Sequence, residues 1–368
     1  MLAWLSLPVV CGVVLSFSVA AAEPVVLESV PPTGWDRPYV PVQMLQVALG
    51  TMGCKRGYDE LMVTSGAAFR MTWREGDYNF PSLTLHQQDP ISVGAVGVGA
   101  QVTREQFNDL EAAFAAIADS IDRGAPVIAW DDGRVDMQVI CGYDAATTTI
   151  FRRTINTPGG VFDQVPAEKI RAMPWAGATY ELWLLDLPET EDIPPLDWPL
   201  ILANALRLAQ WPEDQLVYDR FTCGDAAYLA WAMDMRDPDV HPKFPRAGGL
   251  AWALASHMQH ARWTAARVLQ NNAVVHPAVV EAGLLYQDEA TIFGEVQRVL
   301  CGGAALPKTE AVDVANELIA DEEVRLAAAG LVEQALEKDR AARLALTRAL
   351  EDLAPELLPR TDDEPGDQ

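Results

Sequence analysis

An acidic, proline-rich stretch, Pro188-Glu-Thr-Glu-Asp-Ile-Pro-Pro195, cuts the 368-residue chain into two parts of different texture. Proline lacks a backbone donor and fixes φ, so neither a helix nor a strand ladder is expected to run through such a segment. Before it, residues 23–190 mix short β-rich runs with helices and many glycines. Beyond it, residues 196–358 carry apolar residues at spacings of three and four almost throughout, and residues 359–368 form an acidic tail expected to be disordered. The expectation is an α+β unit followed by an all-α unit, which suits a chain of this length.

In the first part, Leu110 to Asp122 has helical periodicity and stops at Arg123-Gly124. Four strands are expected, over Pro126–Trp130, Met137–Tyr143, Ile150–Ile155 and Tyr180–Leu185, with Asp131-Asp132-Gly133 as a hairpin turn between the first two. Together they make a small meandering antiparallel sheet behind helices. Gly94 to Gly99 reads as an apolar loop or strand, because it lacks the strand-then-helix setting of a phosphate loop. In the second part, helices are expected over 200–209, 225–235, 250–269, 279–299, 310–319 and 321–353. Their tryptophans, Trp198, Trp211, Trp231, Trp252 and Trp263, read as core packing. The apolar stripe of the closing helix offers a homodimer contact.

Charge narrows the partners. With 27 Lys+Arg against 52 Asp+Glu, the net charge is −25, the wrong sign for nucleic acid or an anionic membrane surface. Residues 1–22 carry no charged side chain and end in Ala20-Ala21-Ala22, so a secretory signal cleaved between Ala22 and Glu23 is expected. The protein would then be secreted or periplasmic, with no membrane span in the mature chain. An uncleaved N-terminal membrane anchor is the alternative. Cleavage removes Cys11 and leaves Cys54, Cys141, Cys223 and Cys301. No two of these stand at Cys-x-x-Cys spacing, so neither a zinc ribbon nor a redox motif is written here. An exported chain permits disulfides, Cys223 with Cys301 among them, and buried free thiols are the plainer reading.

Several ordered segments resemble one family. They are Val47-Ala-Leu-Gly-Thr-Met-Gly53, Tyr58-Asp-Glu-Leu-Met62, Ser65-Gly-Ala-Ala-Phe-Arg70, Ile121 to Trp130 and Val139-Ile-Cys-Gly-Tyr-Asp144. Gly224 to Trp231 and Ala261 to Leu269 follow in the helical part. Together they resemble the peptidase-like N-terminal domain of the butirosin biosynthesis protein H type and the helical domain that follows it. The resemblance implies a papain-like fold of the bacteriocin-processing cysteine-peptidase kind. It also implies a cysteine nucleophile at the start of the first helix and a facing histidine. By that correspondence the nucleophile falls within Tyr39-Val-Pro-Val42, centred on Val40, and the histidine on Asp136. An aliphatic residue cannot attack a carbonyl and a carboxylate is a poor base for a thiol, so the catalytic pair is degenerate. Asn156 stands where the residue orienting the histidine would be. A cleft lined by Ser65, Arg70, Trp130, Asp136 and Asn156 is expected to retain binding of a peptide, an amine or another small molecule. No cofactor or metal is implied.

Two thiols are alternative nucleophiles. Cys54 is followed by Lys55-Arg56, and Cys223 opens a helix; both settings favour thiolate. His257 and His260 are neighbours on one helix but lack a third ligand, and His86 sits in a loop. Three functions compete: an exported, non-catalytic binding or accessory module; a thiol-dependent hydrolase or acyltransferase with a relocated cysteine; and a structural envelope protein.

Overall fold

The computed structural model describes residues 23–34, 37–78, 89–131, 137–157, 161–171, 179–187, 195–209 and 221–359. The expected signal segment, the acidic tail, the centre of the hairpin turn, most of the 188–195 stretch, His86, Trp211 and Asp136 lie outside these residues.

The first half is α+β. Helix α1 (Val40–Thr51) and helix α2 (Tyr58–Thr64) precede a short strand β2 (Thr72–Arg74), with β1 (Val25–Val26) before them. Helix α3 (Pro90–Val96), strand β3 (Gln101–Phe107) and helix α4 (Leu110–Asp122) follow. Then come β4 (Val127–Asp131), β5 (Met137–Asp144), β6 (Thr149–Arg153), β7 (Asp163–Pro166), β8 (Ile170–Arg171) and β9 (Tyr180–Asp186). The sheet is antiparallel in the order β3-β9-β4-β5-β6-β7, with β1 beside β5 and β8 beside β4. All four expected strands are present, and α4 spans the expected residues.

Period-two alternation assigns the two faces. Val127, Ala129, Ile140, Ile150 and Leu182 pack against Ala113, Ile117 and Ile121 of α4. Ile128, Val139, Cys141, Trp183 and Leu185 join the core built around α1 and α2. The β5–β6 register shifts between Ile140 and Gly142, β1 pairs with β5 at Gly142 and Tyr143, and a Cβ on Gly142 would stand 2.5 Å from the Val25 carbonyl oxygen. Only glycine allows that approach.

The second half is helical. It comprises α5 (Trp198–Ala209), α6 (Gly224–Arg236), α7 (Ala247–Asn271), α8 (Pro277–Leu300), α9 (Lys308–Leu318) and α10 (Glu322–Leu353). Each expected helix is found within a few residues. The halves share one interior: Ala265, Leu269, Ala282, Tyr286 and Leu346 lie in the same cluster as Leu45, Leu61 and Val139. A two-stranded ribbon also joins them, where β10 (Phe221–Cys223) pairs antiparallel with β2.

Two expectations are corrected. Gly94 is helical, not loop or strand: Asp89 caps α3 by accepting from the Ile91 and Ser92 N–H groups, and Pro90 fits the first turn. Trp263 is 38% exposed on α7 and is not core, whereas Trp231 and Trp252 are buried. No described helix is long and apolar enough to cross a membrane.

Candidate functional site

The N-terminus of α1 is where the sequence argument put the missing nucleophile, and the helix does begin there. Tyr39 is the N-cap residue with extended backbone, Val40 opens the helix and Pro41 follows in the first turn. No side chain caps this end. The Tyr39 N–H donates instead to the Tyr58 hydroxyl of α2 at 3.1 Å. Over the Tyr39 ring stands the guanidinium of Arg70, 4.6 Å from its centroid.

The helical half supplies the far wall. The His260 ring of α7 lies 5.9 Å from the Tyr58 ring. His257, one turn earlier, lies within the electrostatic reach of Arg70, and so does Cys223. The ribbon places that thiol: Cys223 is in register with Thr72, and the Gly224 N–H donates to the Met71 carbonyl at 3.1 Å. Tyr39, Tyr58, Arg70 and His260 therefore meet at the junction of the halves, with His257 and Cys223 in the field of Arg70.

The electrostatics oppose acid–base work. Burial pushes the Tyr39 hydroxyl up to about 12, against the pull of Arg70, and raises Tyr58 further. Both phenols stay protonated as hydrogen-bond donors. Burial, with Arg70 and Lys308 adding repulsion, pushes His257 down to about 3. An imidazole so reluctant to take a proton is a weak base for any thiol. The same cationic surroundings disfavour a metal ion at His257 and His260, and the described residues hold no group of three metal-ligating side chains.

The five expected cleft residues do not assemble. Ser65 is fully buried, and its hydroxyl is engaged in its own turn by the Met62 carbonyl and the Ala67 N–H, so it lines no cleft. Arg70 is buried with Tyr39. Trp130 belongs to the sheet, where its indole donates at 3.0 Å to the buried Glu181, which also accepts from Arg104 and Gln106. Asn156 is exposed and its N–H bonds the Thr154 hydroxyl. Asp136 is outside the described residues.

The four described cysteines are free, which removes a Cys223–Cys301 disulfide. Burial raises the thiols of Cys54 and Cys301, and that of Cys141 to about 12. At Cys54 the charge of Arg56 opposes burial without overcoming it. Cys223 is the N-cap residue of α6 and is the only one of the four that is partly exposed.

Sequence reasoning missed Tyr39, Tyr58 and His257 as site members. The signal was present for Tyr39, which directly precedes the expected nucleophile position. It was absent for His257, whose place depends on how α7 docks. No protein-family model matches the chain, and no curated protein matches it significantly.

Proposed function

We propose that the chain is a non-catalytic binding or accessory module built on a papain-like scaffold, with its helical half packed against the elements at the start of α1. One observation carries the reading. Where the scaffold's chemistry calls for a thiolate, the helix start presents the Tyr39 ring beneath Arg70, and His257, whose basicity burial depresses, is a poor base. The antiparallel sheet with α1 on one face and α4 on the other is compatible with that scaffold. Export to a secreted or periplasmic location, through cleavage after Ala22, belongs to this proposal.

A second reading, a thiol hydrolase or acyltransferase working through Cys223, draws on one observation: the thiol stands at a helix N-terminus within the field of Arg70. The two are separated by the pH dependence of iodoacetamide alkylation followed by peptide mapping. The module reading expects Cys223 to react with the pH profile of an ordinary thiol. Rapid labelling of Cys223 that persists well below neutral pH would overturn it in favour of the enzyme.

A further inference from the structure

A groove of about 460 Å³ lies along α1, between the Pro31–Pro32 segment and the Cys54–Gly57 loop. Its floor is apolar: Val47 and Cys54 are buried there. Pro31 closes tightly over Gly50, where a Cβ would stand 2.9 Å from the Pro31 ring. Among the described lining residues the charged ones are Arg37, Lys55 and Arg56. In a chain with nearly two acidic residues for each basic one, this recess reverses the prevailing field. A concave patch of one sign concentrates ions of the other sign.

The cations are also held in place. Arg37 donates to Gln46 and lies over the Tyr58 ring at 5.6 Å. Arg56 is largely buried and reaches Glu60 at 3.5 Å. The carboxylates of the adjoining helix are engaged: Glu60 also accepts from the Gly57 N–H, and Asp59 pairs with Arg267 at 2.9 Å. Donors fixed before binding lose less conformational freedom when a ligand arrives. Lys55, exposed at the rim, is free to close over it.

From this juxtaposition of an apolar floor with Arg37, Lys55 and Arg56, we infer that the groove binds a small oxyanion ligand with a short apolar body. The inference does not need the papain-like reading, so the two fail separately. The test is calorimetric titration of the full chain with inorganic phosphate and, separately, with hexanoate, at low and high salt. Saturable binding of either probe is expected, phosphate identifying a phosphate ester and hexanoate an apolar carboxylate as the ligand. Lys55→Glu, on an exposed side chain, should weaken that binding by about tenfold or more, as Arg37→Gln should to a lesser degree. Failure of both probes to bind, or binding that Lys55→Glu leaves unchanged, would overturn the inference.

Discussion

Arg262 Nε donates to Glu289 Oε1 at 2.9 Å with both side chains wholly removed from solvent. The same guanidinium reaches the Tyr228 hydroxyl at 2.8 Å and the Ala68 carbonyl at 2.6 Å. A single side chain of α7 thus binds α6, α8 and the turn that carries Arg70 in the other half.

Arg262→Met is therefore expected to destabilise the fold by about 3–5 kcal/mol, because it strands the buried Glu289 carboxyl group, the Tyr228 hydroxyl and two backbone carbonyls. Denaturant unfolding measures this. A loss below about 1 kcal/mol would mean that the halves do not depend on this contact.

Glu289 sets a pH dependence. Burial lifts its carboxyl to about 8, against the opposing pull of Arg262, while Asp339 adds to the rise. The folded chain then keeps a proton that the unfolded chain releases above 4.5. The stability so contributed is complete below that value and is lost as pH rises to about 8. Melting temperatures across this window should fall for the native chain and run flatter for Glu289→Gln, which cannot ionise.

His257 acts at the other end. Its folded value near 3 lies below the ordinary 6.5, so stability is full above 6.5 and declines as pH falls toward 3. His257→Gln should flatten the acid limb of the same melting curve and leave the alkaline limb unchanged.

Gly248 lies where α7 crosses α9, and a Cβ there would stand 1.9 Å from the Ala315 carbonyl oxygen. Backbone cannot yield as a side-chain tip does. Gly248→Ala should cost about 1–3 kcal/mol or more in thermal unfolding, whereas Gly330→Ala, with open space around it, should cost nothing and gain helix propensity.

Period explains what the sequence revealed. The strands over 127–131 and 137–144 and the helices of the second half each carry a face of apolar residues, and burial then follows from spacing alone. Strand β3 reads Gln-Val-Thr-Arg-Glu-Gln-Phe and lies at the sheet edge, mostly exposed, so hydrophobicity gives no sign of it. The β2–β10 ribbon escaped because three-residue strands have no period to detect, and the Thr222 hydroxyl meets the Trp73 carbonyl across 149 positions. The cluster at the start of α1 was half legible. Its location followed from the helix start, but its contents came from α2, the Arg70 turn, α7 and β10, whose meeting depends on tertiary docking.

The Arg262 contact also governs when the protein can fold. The Arg70 carbonyl waits for a donor that lies 192 positions later in the chain. At roughly 5–20 residues per second, the ribosome delivers that donor on the order of ten to forty seconds after Arg70 itself. Until then Met71 and Trp73, buried in the finished molecule among α6 and α8 side chains, have no lid. A nascent chain of this kind is vulnerable to aggregation through its early half, and synthesis past α8 is what ends the exposure.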